Sequence, residues 1–452
     1  MEALKLLKVL KRIENIEMNP PRILALGFAG LILLGALLLN LPIASQNNES
    51  IGFINALFTS ASSVCVTGLV VVNTAYHWTL FGQIVIIILI QMGGLGFMTI
   101  ATIAALIIGK KITLKERLVI KEQLNQETMS GLVKLTKYVI LSTFLIEGIG
   151  ASLLSLRFVP LYGISQGIWF SIFHSISAFC NAGFDILGES IVPFVGDYII
   201  NLTICALIIL GGLGFSVYID ISKNKKFKRL QLHTKLVLII TSFLVIGGMV
   251  VILLLENGNP LTLQNLSLGE KLLASFFQSV VPRTAGFNSI NIGGLYDTSV
   301  FFIIILMFIG GSPGSTAGGI KTTTFGTLAL TTISVVKGDK DVVAFKKKIP
   351  YDVINKSLAI VMVGLLLVGM VSFLLTITEE AEFLDLLFET TSAFATVGLT
   401  TGITPDLTDF GKFLLTLTMY AGRVGPLTMA FAFSRKHIHA KYKYSEGNII
   451  VG

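Results

Sequence analysis

The sequence predicts an all-α integral membrane protein made of four tandem helix–loop–helix modules, with eight transmembrane helices and both termini in the cytoplasm. Three observations predict this fold: an apolar composition, basic clusters between apolar runs, and a fourfold repeat that ends in glycine. Of the 452 residues, 53% are hydrophobic and only 13% are charged, whereas soluble domains carry about 25% charged residues. The apolar runs are near or above the roughly 20 residues that cross a bilayer, so the chain belongs in a membrane.

The basic residues lie between the apolar runs and predict the orientation. Five clusters begin near Lys5, Lys110, Lys223, Lys346 and Arg435. Because cytoplasmic connections of membrane proteins are enriched in Lys and Arg, all five clusters and both termini are predicted to be cytoplasmic. This distribution accounts for the net charge of +8 without nucleic acid as a partner.

The first 21 residues form a separate segment before the first apolar run. Apolar residues at 6, 9, 10 and 13 share one helical face, and basic residues at 5, 8, 11 and 12 share the other. This pattern is typical of an amphipathic helix that lies on the inner leaflet. A disordered basic tail is the alternative.

Four segments repeat a spacing of ten residues from phenylalanine to glycine: Phe58–Gly68, Phe173–Gly183, Phe276–Gly286 and Phe388–Gly398. Each lies between two apolar helices, so one module recurs four times. The first helices are predicted at 22–44, 137–158, 234–255 and 355–377, and the second helices at 80–108, 196–219, 299–335 and 411–433. Eight spanning helices follow.

The segments that lead to each glycine, such as 51–63 and 168–179, are too short to cross the bilayer and contain Ser, Thr and Asn. A re-entrant half-helix on the outer side fits them, because polar backbone at membrane depth must be buried in protein or line water. Four such loops that converge on one axis satisfy this condition.

The loop ends suit a dehydrated cation. Backbone carbonyls can replace the water of an ion, and glycine allows positive φ and close approach. The half-helices would direct their negative C-terminal ends to the same place, and no loop end contains Asp or Glu. We therefore predict a potassium-binding filter of carbonyls from Val66, Thr67, Gly68, Asn181, Ala182, Gly183, Thr284, Ala285, Gly286, Thr396, Val397 and Gly398. Glycines that only permit close packing are the alternative.

The second helix of the third module is interrupted by a run of glycines and a proline, which no continuous helix tolerates. This stretch lies below the predicted filter and is a candidate gate, formed by Gly310, Gly311, Ser312, Pro313, Gly314, Ser315, Thr316, Ala317, Gly318, Gly319 and Lys321. A kinked helix filled with small residues and a degraded phosphate-binding loop are the alternatives. A phosphate-binding loop would follow a β-strand, and no strand is predicted before this stretch.

Arg423 lies within the apolar second helix of the fourth module, where an unpaired charge is energetically unfavourable. Counted from its filter glycine, Arg423 is level with the glycine-rich stretch. We expect it to contact that stretch and to add an electrostatic barrier to cations. An anchor between helices is the alternative. For Arg283, which precedes the third loop end, a scaffold contact behind the filter is preferred to ion contact.

The motifs FTSASSVCVTG, PRTAGFNSI, GGSPGSTAGGIK and TVGLTTG together resemble the Trk/Ktr/HKT potassium-transporter superfamily, most closely its bacterial Ktr membrane subunits. The resemblance covers nearly the whole chain. It implies a single-chain pseudo-tetramer of potassium-channel-like modules with a gating loop inside the membrane. It also implies a homodimer that docks on an octameric ring of cytosolic nucleotide-binding RCK subunits. Similar proteins that prefer sodium often carry serine in place of the first filter glycine, so the glycine at position 68 implies potassium selectivity here.

The predicted function is gated potassium uptake across a bacterial cell membrane, driven by the membrane potential, and the sequence leaves a dependence on sodium open. A secondary transporter with alternating access is the alternative. The sequence contains no metal-ligand cluster or nucleophile motif of an enzyme, and no cofactor is expected in this chain beyond potassium in the filter. The predicted units are the amphipathic segment 1–21, pore module 1 (22–108), a cytoplasmic linker with pore module 2 (109–222), pore module 3 (223–336) with the gating loop 310–321, pore module 4 (337–434) and the cytoplasmic tail 435–452.

Overall fold

The structure is a computed structural model of the chain. It describes residues 20–425 apart from 97, 100–101, 103–107, 109–111 and 124–130, together with 428–429, 447 and 450. The predicted amphipathic segment 1–21 and the tail 435–452 fall almost wholly outside the described residues.

Four long apolar helices begin the four modules. They are α1 (Pro20–Leu39), α6 (Leu132–Tyr162), α10 (Leu232–Glu256) and α14 (Tyr351–Thr378). Each is long and apolar enough to cross a membrane, as the sequence predicted for the first helices. Only 28–39% of the residues in their most apolar windows are buried in the isolated chain, as expected for helices that face lipid.

Each first helix is followed by a shorter helix that ends just before a repeat glycine. These half-helices are α2 (Phe53–Cys65), α7 (Ile164–Cys180), α11 (Leu268–Val280) and α15 (Phe383–Ala395). Their C-terminal halves are almost fully buried, including most of their serines and threonines. The half-helices therefore form the centre of the molecule, where several of their hydroxyls donate to helix carbonyls, as Ser60, Ser175 and Thr390 do.

The second helices are shorter than the sequence predicted. They are α4 (Leu80–Leu95), α8 (Tyr198–Leu213), α12 (Asp297–Phe308) and α16 (Asp409–Val424). Three of them contain 16 residues, about 24 Å of helix, which is less than the roughly 30 Å hydrocarbon core. The continuous spans predicted at 80–108, 196–219 and 411–433 are therefore wrong.

A glycine ends each of these three helices. Gly96, Gly214 and Gly425 have φ of 80°, 94° and 93°, a conformation that breaks a right-handed helix and that glycine adopts readily. After Gly214 the chain resumes as α9 (Phe215–Asn224), bent by 91° from α8. With α8 and α9 counted as one bent span, five candidate spans are found among the described residues.

The remaining α-helices and the hairpin of the described residues lie in the connections between these elements. They are α3 (Thr74–His77), α5 (Leu114–Gln123), α13 (Thr322–Lys337) and a hairpin of β1 (Val343–Ala344) and β2 (Lys347–Lys348). The hairpin and α9 carry two of the basic clusters that predict the cytoplasmic side. Lys348 of the hairpin forms a 2.5 Å ion pair with Asp341.

The modules contact one another in a closed cycle. Each second helix packs on the half-helix of the next module, so α4 contacts α7, α8 contacts α11 and α12 contacts α15. The last second helix, α16, packs on the first half-helix, α2. The two largest buried clusters accordingly mix residues of different modules.

Serine–glycine contacts join the first helices to their half-helices. The Ser60 hydroxyl donates to the Ile32 carbonyl (2.6 Å), Ser175 to Glu147 (2.6 Å) and Ser279 to Val245 (2.7 Å). In each case a glycine three residues further along the first helix leaves no room for a Cβ beside the serine. Small residues and interhelical hydroxyl bonds are the usual means by which helices associate in a membrane.

Candidate functional site

The four repeat glycines meet in a ring at the centre of the cycle, which we call the glycine ring (Gly68, Gly183, Gly286 and Gly398). A Cβ on Gly183 would lie 2.6 Å from the Ala285 carbonyl oxygen, and one on Gly286 would lie 2.7 Å from that of Val397. The same construction on Gly68 meets the Ala182 carbonyl, and on Gly398 it meets that of Thr67. Each glycine thus abuts the carbonyl of the residue before the next glycine, and the fourth loop closes on the first.

The backbone of each loop follows one pattern. The residue two places before each glycine is left-handed, with φ of 58° at Val66, 62° at Asn181, 75° at Thr284 and 52° at Thr396. The glycines also have positive φ, from 70° to 98°, but the residues between do not. Alternating handedness turns successive carbonyls toward one side, unlike an extended strand, in which they alternate. Non-glycine residues with positive φ are uncommon and mark a constrained backbone.

Buried hydrogen bonds hold three of the loops in this conformation. In the first loop the Thr67 N–H donates to the Ser62 carbonyl (2.8 Å) and the Gly68 N–H to the Ser62 hydroxyl (3.0 Å). The fourth loop repeats both bonds through Ser392, and the second loop repeats the backbone bond, from the Ala182 N–H to the Ser177 carbonyl (2.8 Å). The loops are therefore continuous with the negative ends of their half-helices.

The third loop is different. Its half-helix ends at Val280, and a turn that contains Pro282 and Arg283 leads to the glycine ring. The Ala285 N–H donates to the Val281 carbonyl (3.0 Å), four residues earlier in the chain. The corresponding bonds of the other loops reach back five residues. Arg283 is buried, and its guanidinium donates to the Thr241 hydroxyl on α10 (3.3 Å). Its side chain therefore contacts the surrounding helix, the scaffold position that the sequence analysis preferred.

The glycine-rich loop, residues 310–321, is an ordered excursion from the third second helix rather than a kink. Helix α12 ends at Phe308 and α13 begins at Thr322. The loop is closed at its base, where Ile309 and Ile320 form a parallel bridge and the Gly310 N–H donates to the Ile320 carbonyl (2.9 Å). The predicted interruption of this helix is confirmed, and a kinked continuous helix is excluded.

The glycine-rich loop lies against the ends of two half-helices. Thr316 contacts the carbonyl of Phe179 (3.1 Å), at the end of α7. Gly318 lies so close to the Thr396 side chain that a Cβ would overlap it, and a Cβ on Gly319 would lie 3.2 Å from the Ala395 carbonyl oxygen. The loop thus occupies the space directly beneath the second and fourth loop ends.

Arg423 contacts this loop, as the sequence analysis expected. Its guanidinium donates to the Thr316 carbonyl and, on the opposite side, to the carbonyls of Gly93 (2.5 Å) and Gly94 (3.2 Å). Carbonyls therefore satisfy the charge, and the side chain joins the fourth, third and first modules. Its effect on cations stays a prediction.

The glycines near Arg423 also serve packing. A Cβ on Gly93, Gly211 or Gly422 would overlap the carbonyl oxygen four residues before a glycine of the ring, at Val64, Phe179 and Phe394 respectively. For these second-helix glycines the packing interpretation therefore holds.

A cavity of about 250 Å³ lies beneath the glycine-rich loop. Its lining includes Gly319 and Lys321 of the loop, together with Arg423, Lys356 and Glu122. The Lys321 ammonium donates to the Ala317 carbonyl (2.7 Å). Three cationic side chains and one carboxylate therefore face this space, which lies on the side that the basic clusters predict to be cytoplasmic.

Four polar residues to which the sequence assigned no role are also placed. Glu147 accepts from the Gln91 amide (3.1 Å), and Asp185 accepts from two backbone N–H groups of the following turn. The His174 Nδ1 lies 2.7 Å from the Phe170 carbonyl. Glu389 accepts from the hydroxyls of Thr400 and Thr404 just outside the fourth loop. All four are thus bonded to helices or turns close to the loop ends.

The chain is similar to known proteins along nearly its whole length. The sequence profile described as "TrkH: Cation transport protein" matches residues 31–444. The Ktr system potassium uptake protein B of Bacillus subtilis is 47% identical over 98% of this chain and 99% of that protein. The potassium/sodium uptake protein NtpJ of Enterococcus hirae is 43% identical over 98% of this chain and the whole of that protein.

A solved structure shares the fold. The crystal structure of the potassium transporter TrkH from Vibrio parahaemolyticus aligns with a TM-score of 0.72 over 93% of this chain and 86% of that chain, at 19% identity. At this identity the likeness concerns the fold. It accords with the mostly helical architecture and the candidate membrane spans described above.

Proposed function

The chain belongs to the TrkH family of cation transport proteins, and from that premise we propose that it takes up potassium ions through a pore whose filter is the glycine ring. It is a multi-pass membrane protein of a transporter family, not of an enzyme family. The finer proposal is a pseudo-tetramer of four modules, with eight membrane segments if the short second helices are counted.

The single observation that carries the proposal is the closed cycle of glycine and carbonyl contacts. Four equivalent loops place the carbonyls of Thr67, Ala182, Ala285 and Val397 around one centre, each against the glycine of the preceding module. A ring of carbonyls at the negative ends of four half-helices is the arrangement that replaces the water of a cation.

Potassium is the proposed ion for three reasons. No loop end contributes a carboxylate, so the filter coordinates through neutral dipoles, which suits a large monovalent cation more than a divalent one. The relatives from Bacillus subtilis and Enterococcus hirae are named as potassium and potassium/sodium uptake proteins. Glycine at all four ring positions further supports a preference for potassium over sodium.

The glycine-rich loop and Arg423 are the proposed gate. The loop lies between the ring and the cavity beneath it, and Arg423 places a positive charge beside the path. An ion that leaves the filter would have to pass both. Displacement of the loop toward the cavity would open the path, and the membrane potential, worth about 2.3 kcal/mol per charge at 100 mV, would drive uptake.

The proposed assembly follows the name of the Bacillus subtilis relative, which is protein B of a Ktr system. We propose that this chain is the membrane subunit of such a system, as a homodimer on an octameric ring of RCK-type regulatory subunits. The nucleotide then binds to the regulatory subunits, and this chain carries only potassium.

Ion flux into proteoliposomes tests the proposal. The purified chain is reconstituted, the membrane potential is clamped, and uptake of potassium, rubidium and sodium is measured against protein-free liposomes. We expect potassium and rubidium to enter at least about ten times faster than sodium, which corresponds to about 1.4 kcal/mol of discrimination. Equal entry of sodium and potassium would contradict the filter.

The alternative is a secondary transporter that couples two cations. The broken second helices, with their 91° bend after Gly214, are a feature that such transporters share. Repeating the assay with and without sodium and proton gradients separates the two. A fixed stoichiometry between potassium and a second cation would favour the transporter, whereas flux that follows the potassium gradient and potential alone supports the pore.

A further inference from the structure

The glycine-rich loop and the second filter loop are directly linked by a buried threonine. The Thr316 hydroxyl lies 3.2 Å from the Asn181 side-chain oxygen, 3.1 Å from the Phe179 carbonyl and 3.0 Å from the Gly211 carbonyl. Both Thr316 and Asn181 are at most 1% exposed. The single hydroxyl proton is thus offered to three acceptors that all belong to the second module.

Asn181 is unusual among the four equivalent loop residues. The other three loops carry Val66, Thr284 and Thr396 at this left-handed position, and Asn181 alone has an amide there. Its side-chain nitrogen donates to the Arg283 carbonyl of the third loop (3.3 Å). The amide therefore connects the glycine-rich loop on one side with the third loop on the other.

Thr316 cannot leave its place without breaking this connection. Its N–H donates to the Gly211 carbonyl (3.2 Å), and its own carbonyl accepts from the Arg423 guanidinium. A displacement of the glycine-rich loop that frees the path therefore also removes the hydrogen-bond donor that faces Asn181. The side-chain amide of Asn181 would then keep only its bonds to the third loop.

We propose that Thr316 is a positioning residue for the filter, through which the glycine-rich loop holds Asn181 and with it the carbonyls of the second loop. Selectivity for potassium over sodium then depends on the position of the loop. The filter discriminates best when the loop is in the place described here, and discrimination falls as the loop moves. This inference rests on the proposed function, since it presupposes that the glycine ring conducts ions.

The test measures equilibrium binding of potassium and of sodium to Thr316→Val and to wild type in detergent, because ion flux reports the state in which the glycine-rich loop is displaced and the contact is already broken. Valine keeps the shape of threonine but lacks the hydroxyl. We expect the ratio of potassium affinity to sodium affinity to fall about two- to tenfold, the effect of losing one neutral hydrogen bond, while Thr316→Ser restores it. A matched control is Thr331→Val, since the Thr331 hydroxyl bonds only within its own helix, to Thr327 (2.8 Å), and its ratio should equal that of wild type.

Asn181→Leu breaks the same link from the filter side and serves if Thr316→Val does not fold. The double variant should have an affinity ratio no lower than that of the lower single variant, because both changes remove the same contact between Thr316 and Asn181. Losses that multiply would show that the two residues act independently and would overturn the inference. An unchanged ratio in Thr316→Val would overturn it too, whereas a wild type without potassium preference would refute the proposed function instead.

Discussion

The sharpest prediction concerns Gly68, the first glycine of the ring. Serine at this position must adopt φ near 98°, a conformation that costs a residue with a Cβ about 1–2 kcal/mol. The new Cβ would also lie 3.2 Å from the Gly183 Cα and closer still to the Ala182 carbonyl oxygen. Since ordinary contact begins near 3.4 Å, the second loop must retreat.

The expected result follows from where the displaced atoms lie. The Ala182 carbonyl is one of the four proposed ring ligands, and a shift of a sizeable fraction of an ångström alters the cavity that distinguishes potassium from the smaller sodium ion. We expect Gly68→Ser to lower the potassium-to-sodium flux ratio at least tenfold in the proteoliposome assay, equivalent to about 1.4 kcal/mol.

Gly52 provides the matched control. It also has positive φ, 90°, but a Cβ there would meet nothing within 4 Å. Gly52→Ser thus carries a similar backbone strain without the contact, so it should lower thermal stability slightly and leave the flux ratio as in wild type. If Gly68→Ser retains the wild-type ratio, or if both variants lose it equally, the steric reasoning about the ring is refuted.

Three further predictions follow from contacts outside the ring. Arg423→Gln should raise potassium flux through the gate several-fold, because a positive charge and its bonds to the glycine-rich loop are lost. Arg157→Gln, which breaks an exposed ion pair with Asp197, should leave the flux as in wild type. Unchanged flux in Arg423→Gln would contradict the gate role. Gly211→Ala should markedly lower the melting temperature in detergent, because its Cβ would overlap a half-helix carbonyl, whereas Gly247→Ala, in open space, should not. Ser279→Ala should lower stability by about 0.6–1.7 kcal/mol through loss of its 2.7 Å bond to the first helix; no change in denaturant unfolding would argue against that contact.

Much of the fold could be predicted from local patterns. The four first helices are found where apolar runs of spanning length occur, and the half-helices where the runs are short and rich in hydroxyls. The second helices were predicted too long because hydropathy continues past Gly96 and Gly214, while the break depends on backbone conformation at a single glycine. The signal was present, since Gly-Leu-Gly occurs at both places.

The sequence by itself determined the fourfold repeat, its membrane setting and the glycines that have to approach one another, because each of these is a property of composition or of short spacing. Only the tertiary structure decided which groups meet between modules. Arg423 reaches Gly93 across 330 residues, and Thr316 reaches Asn181 across 135. Such pairs carry no local signature, because any polar group could satisfy either partner, and the closure of the ring alone brings these particular atoms together.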